Sequence, residues 1–127
     1  MKQTRRLSVL YAEDNEDSGF MLKTFLGLSD IDVLLARSVE EAFQIAQTRH
    51  FDLYLLDNKF PNGNGLQLCQ QLRAVSPQTP IVFYSGAAYE TDRQKGLEAG
   101  ADAYLVKPEV SSIASTILQL VTRNDPE

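Results

Sequence analysis

Polar residues capable of concerted chemistry stand where short apolar runs end. Glu13 and Asp14 follow the run 7–12, Asp57 follows 52–56, Ser85 follows 81–84 and Lys107 follows 103–106. Three carboxylates brought together repel one another unless a cation sits among them. A hard divalent ion with oxygen ligands is the natural occupant, and Mg²⁺ keeps several waters, which leaves room for phosphate oxygens. Lys107 adds a point charge able to hold a phosphoryl group, and Ser85 can donate a hydrogen bond to one. A carboxylate set between a metal, an ammonium and a hydroxyl can attack phosphorus and form an acyl phosphate. The surrounding charges then stabilise the equatorial oxygens of the transition state. Asp57 is the candidate nucleophile.

Each residue taken alone has a plainer reading. Glu13, Asp14, Glu16 and Asp17 could merely favour a helix N-terminus through its dipole, which does account for Glu16 and Asp17. Asp57 could form a turn before the Pro/Gly loop. Ser85-Gly86 is an ordinary loop and Lys107-Pro108 a strand stop with a solvated lysine. The signal is the set, in this order, with each member at the end of an apolar run.

The elements that must position them alternate along the chain. Residues 7–12, 31–36, 52–56, 81–84 and 103–106 read as strands. Phe20, Met21, Phe25, Leu26 and Leu28 recur at helical spacing over 16–28. A capping box at Ser38–Glu41 opens a second helix, which buries Ala42, Phe43, Ile45 and Ala46 and ends near His50. Residues 60–65 form a loop punctuated by Pro, Asn and Gly. Leu66, Leu68, Cys69, Leu72 and Val75 mark a third helix. A weakly apolar fourth spans 89–99 and stops at Gly100, and a fifth runs over 110–121 before a loose tail, 122–127. Five strands alternating with five helices demand an α/β fold: a doubly wound parallel sheet covered on both faces, with its crevice beyond the carboxyl ends of the strands.

The bulk composition narrows the function. The 127 residues read as one domain, 1–127, with its core over 7–121. A net charge of −5 argues against direct nucleic-acid binding and suits protein partners and cations. Cys69 and His50 are the lone residues of their types, so an internal disulfide or a Cys/His zinc cluster cannot form. No apolar run approaches the roughly 20 residues of a membrane helix, and the N-terminus does not read as a signal peptide. A cytoplasmic protein is expected.

With these residues in place, the sequence resembles a response-regulator receiver domain of two-component signalling (CheY-like) over about 7–120. The acidic pair is Glu13-Asp14. Asp57 is followed by Pro61 and Gly65 at the family's spacing. Ser85-Gly86 matches the end of the fourth strand, and the stretch from Gly100 to Pro108 resembles the closing motif, with Tyr104 three residues before Lys107.

The resemblance implies a flavodoxin-like sheet in the order 2-1-3-4-5 and a cis Lys107-Pro108 peptide. It implies that Asp57 accepts a phosphoryl group from a sensor histidine kinase or a histidine phosphotransfer protein. Asp14, Asp57 and the Lys59 backbone carbonyl would ligate Mg²⁺ (Mn²⁺ as substitute), with Glu13 acting through water. Ser85 would move to the phosphoryl group and Tyr104 would rotate inward. These motions would repack the face of the fourth helix, fifth strand and fifth helix for output to a downstream protein. The chain is expected to be a stand-alone switch, or a piece cut from a larger protein, monomeric or dimerising on phosphorylation. It would be no enzyme beyond its own phosphotransfer and dephosphorylation. Tyr89 and Glu109 are candidate contributors to the output surface.

Glu13 in place of Asp, Asn58, Lys59, the run from Asn62 to Asn64, and Glu109 depart from the commonest pattern, and bear on kinetics and partner choice. Other readings fit less well. A phosphorylation-independent interaction module predicts loss of Asp57, Asp14 or Lys107, and all are present. An aspartate-nucleophile phosphatase would carry an acid where Lys59 stands. A flavin site would not place Glu13-Asp14 beside a phosphate.

Overall fold

A computed structural model describes residues 6–60 and 63–124. The chain runs β1 (Leu7–Ala12), α1 (Glu16–Gly27), β2 (Ile31–Ala36), α2 (Val39–Ala46) and β3 (Leu53–Leu56). A short hairpin, β4 (Lys59–Phe60) and β5 (Gly63–Asn64), precedes α3 (Gly65–Val75). Then come β6 (Ile81–Ser85), α4 (Glu90–Glu98), β7 (Ala103–Val106) and α5 (Ser111–Asn124). Five parallel strands form one sheet in the order β2-β1-β3-β6-β7, which is 2-1-3-4-5 with the hairpin set aside. The Lys107-Pro108 peptide is cis, as the resemblance implied.

Successive strand residues point to opposite faces, and the central strands are apolar on both. Val9 and Tyr11 pack in a core with Leu22 and Leu26 of α1 and Ile113 and Ile117 of α5. Leu10 and Ala12 belong to a second core with Ala42 of α2, Leu68 and Leu72 of α3, and Tyr104. The sheet is thus covered on both sides, and polar groups gather where its strands stop.

Several sequence expectations change. In α1 the inward stripe is Gly19, Leu22 and Leu26, while Phe20, Met21 and Leu28 are 67%, 70% and 83% exposed and Phe25 is also exposed. The helix carries more apolar residues than one stripe can bury, and Gly19 takes the position nearest Leu35. Helix α2 ends at Ala46, and of its expected inward residues Ala42 alone is fully buried. Its capping box is split: Ser38 Oγ accepts from Glu41 N, whereas Glu41 Oε1 accepts from Arg37 N. The expected loop over 60–65 contains the β4–β5 hairpin, with Pro61 and Asn62 outside the described residues. Val75 is exposed. Helix α5 continues to Asn124 through much of the expected tail, of which 125–127 lie outside the described residues.

At the opposite end of the sheet from the acids, Arg73 ties α3 to the α4–β7 turn. Its guanidinium donates to Gly100 O (2.7 and 3.1 Å), Thr79 O (2.8 Å), Pro77 O (2.9 Å) and Asp102 Oδ2 (3.0 Å). Gly100, at φ 118°, occupies the left-handed region that lets this turn close. Arg73→Ala should lower unfolding free energy by about 2–3 kcal/mol, since it strands carbonyls that a charged donor satisfied. Arg93→Ala, which loses an exposed pair with Glu90, should cost under about 0.5 kcal/mol. Urea denaturation of both variants checks the contrast.

Candidate functional site

The sheet register brings the polar residues together. Ala12 is paired with Ala36 on one side and Leu56 on the other. Consequently Glu13 N–H donates to Ala36 O at 2.9 Å and Asp57 N–H to Ala12 O at 2.9 Å, so both acids emerge side by side. Ser85 is paired with Val106, and Lys107 N–H donates to Ser85 O at 2.9 Å.

Glu13 and Asp57 are buried, and carboxylate oxygens of Glu13, Asp14 and Asp57 lie within 4.8 Å of one another. Lys107 Nζ reaches between them, 2.5 Å from Glu13 Oε1 and 3.1 Å from Asp57 Oδ2. Burial works against the lysine's charge, but its hydrogen bonds to Glu13 and Asp57 and their charges outweigh it, leaving its pKa above the ordinary value. Three carboxylates against one ammonium leave two negative charges uncompensated, and every donor is an oxygen. That set fits a hard divalent cation, and Asp14, on the exposed side, leaves it open to solvent.

Asp57 is held by its own loop. Asn58 N–H donates to Asp57 Oδ1 at 2.6 Å, and Gly65 N–H to Asn58 O at 2.9 Å. A Cβ on Gly65 would lie 2.1 Å from the Asp57 carbonyl oxygen, so the loop closes this tightly only with glycine there. The Lys59 side chain is exposed at the start of the hairpin.

On the other side of the cleft Ser85 Oγ, buried, accepts from Ala87 N–H at 3.1 Å. The Ala87 carbonyl accepts from the Tyr104 hydroxyl at 2.7 Å, so one residue joins the two side chains. Burial pushes the Tyr104 phenol above its ordinary pKa, which keeps it a neutral donor. Its ring lies inward, stacked on Phe83 with centroids 5.4 Å apart. Gly96 of α4 makes the space, for a Cβ there would come within 2.8 Å of the ring.

The family model for the response regulator receiver domain matches residues 9–118. The chain belongs to that family. It is 36% identical over 115 residues to the alkaline phosphatase synthesis transcriptional regulatory protein PhoP of Bacillus subtilis, covering 87% of this chain and 48% of that protein. It is 33% identical over 100 residues to the transcriptional regulatory protein SrrA of Staphylococcus aureus, covering 79% of this chain and 41% of that one. The chain thus spans about half the length of the curated relatives it matches. Among solved structures, the receiver domain of the Francisella response regulator 1452 superposes with a TM-score of 0.88 at 26% identity, covering 94% of this chain and 100% of that one. A CheY-like receiver from Methanospirillum hungatei gives 0.88 at 23% identity, covering 94% and 96%, and shares the fold.

In this receiver, Glu13, Asp14, Asp57 and Lys107 converge as the sequence suggests, with Ser85 and Tyr104 joined to one another beside them. Pro61 of the acceptor motif lies outside the described residues. Three contributors were missed: Tyr11, whose hydroxyl donates to Glu13 at 2.9 Å, the Ala87 peptide, and Gly96. Of these only Tyr11 carried a signal, a phenol in a doubly buried strand two residues before an acid. An open apolar groove of about 240 Å³ runs beside Lys107, lined by Met21, Phe25, Tyr84, Pro108 and Val110. Gly96→Ala should drive the Tyr104 ring off Phe83 at a cost of about 1–3 kcal/mol. Loss of Tyr104–Phe83 ring-to-ring nuclear Overhauser effects reports the displacement, and their retention contradicts it.

Proposed function

We propose that this receiver is a switch in which Asp57 accepts a phosphoryl group and the resulting change is passed to the α4–β7–α5 face. The observation that carries the reading is the buried Asp57 carboxylate shared with Lys107, 3.1 Å away, inside an oxygen-rich cleft with a two-charge deficit. A carboxylate oxygen of Asp57 attacks phosphorus as the bond to the donor's imidazole nitrogen breaks, and the departing imidazole takes up a proton. Lys107 leaves the carboxylate to pair with the phosphoryl oxygens, and water later attacks phosphorus to release inorganic phosphate. Asp14, Asp57 and the Lys59 carbonyl would hold a divalent cation, with Glu13 acting through water, and such an ion shields the incoming oxygens from the acids.

Ser85 turning its hydroxyl to the phosphoryl group gives up Ala87 N–H, and the freed Ala87 peptide alters the seat of the Tyr104 hydroxyl. The consequence falls on α4 and β7, where Val106 of β7, Tyr89 at the α4 N-cap and Glu109 just past β7 are exposed and supply a surface for a downstream protein. The protein acts on no other substrate in this reading. Receiver domains interact with histidine kinases or histidine phosphotransfer proteins, and the groove of Met21 and Phe25 beside Lys107 suits the approach of such a donor.

The test is intact mass after incubation with a small-molecule phosphodonor. Wild type should gain one phosphoryl group only with Mg²⁺ or Mn²⁺ present, and Asp57→Asn none. A stable adduct on Asp57→Asn, or none on wild type, overturns the proposal. Replacing Met21 and Phe25 by serine should preserve the small-molecule rate while slowing transfer from a phosphorylated histidine phosphotransfer protein. An equal effect on both donors contradicts the docking role.

A further inference from the structure

Tyr11 is the penultimate residue of β1, wholly buried, in the core that α1 and α5 share. A phenol so placed must find an acceptor, and Glu13, on the same side of the strand two residues on, supplies it. The hydroxyl donates to Glu13 Oε1 at 2.9 Å. That same oxygen accepts from Lys107 Nζ at 2.5 Å, and Oε2 accepts from Asn15 N–H at 3.1 Å. Asn15 and Lys107 belong to segments beyond the strand ends, whereas Tyr11 belongs to the sheet itself. Burial first, and then the Glu13 charge, push the phenol well above its ordinary pKa, so it remains a donor.

Glutamate is one methylene longer than aspartate, and its carboxylate has more rotamers to occupy. We propose that Tyr11 is a positioning residue of the phosphoryl-acceptor site: its hydroxyl fixes the Glu13 carboxylate, and Glu13 so fixed holds Lys107 partly off Asp57. The inference rests on the acceptor role of Asp57. Without the phenolic hydroxyl, Glu13 is anchored only from segments that are themselves part of the cleft. Lys107 then settles on Asp57, where its ammonium competes with a cation for the same carboxylate.

Calorimetric titration with MgCl₂, in the absence of phosphodonor, tests this on wild type, Tyr11→Phe, Glu13→Asp and the double variant. Shortening the side chain at position 13 withdraws the acceptor from Tyr11 and keeps the charge. Tyr11→Phe should weaken Mg²⁺ binding roughly three- to tenfold when Glu13 is present, the scale of one hydrogen bond to a charged group. In the Glu13→Asp background it should have no further effect. Equal losses in both backgrounds mean that Tyr11 acts through packing alone and overturn the proposal, as does unchanged binding in Tyr11→Phe. Wild-type protein labelled with ¹³Cζ-tyrosine gives a second measurement that needs no folded variant. One buried phenol resonance should shift when Mg²⁺ is added, and the absence of any shift counts against the inference. Failure of wild type to bind Mg²⁺ at all overturns the acceptor reading together with this one, whereas normal wild-type binding with an inert Tyr11→Phe overturns this one alone.

Discussion

Two carboxylates buried side by side are tolerable only if positive charge lies between them, and here the ammonium of Lys107 does so, bonded to both Glu13 and Asp57. The fold's register follows from what that contact needs. Strands β1 and β3 must end level, as they do through the pairing of Ala12 with Leu56, and β7 must bring its lysine across from the sheet edge. A one-residue slip in any strand would turn its polar residue to the other face. One lysine is nonetheless too little for three acids, and the residual charge suits the cleft to a divalent cation and, in the proposed switch, to an anionic phosphoryl group held with it.

The opposite wall of the cleft is arranged around a different economy. Ser85 and Tyr104 bond different ends of Ala87: Ser85 Oγ accepts from its N–H, and the Tyr104 hydroxyl donates to its carbonyl. In the proposed switch, a change in which partner Ser85 prefers passes through that single residue to the large Tyr104 ring. That ring fits inward because Gly96 presents no side chain to it. Close-packed interiors respond to such local exchanges by moving between discrete arrangements. The stack of Tyr104 on Phe83 is one arrangement of this kind.

Much of this was legible in the sequence, because strand ends are marked by sharp polarity changes and the site is made of strand ends. The acids and the lysine emerged from apolar runs and their polar ends, and the sheet order from the family resemblance carried by Asp57, Gly65, Ser85 and Lys107. Helix faces were harder to read. Helix α1 carries five large apolar side chains, and which of them turn inward depends on the packing of Gly19 against Leu35. The hairpin of Lys59–Phe60 with Gly63–Asn64 and the extension of α5 to Asn124 are settled by backbone pairing, which composition does not encode. Tyr11 shows the general difficulty. Its apolar ring satisfies the strand pattern, and the role of its hydroxyl depends on Glu13 lying beside it in the fold.

That the Asp57 carboxylate is the nucleophile is tested most directly by chemical trapping of the modified residue. Protein phosphorylated in the presence of Mg²⁺ is reduced with borohydride, which converts an aspartyl phosphate to homoserine, and the digest is mapped by mass spectrometry. Homoserine is expected at position 57 and at no other aspartate. Homoserine at another position, or a phosphoryl adduct that resists reduction, would contradict it.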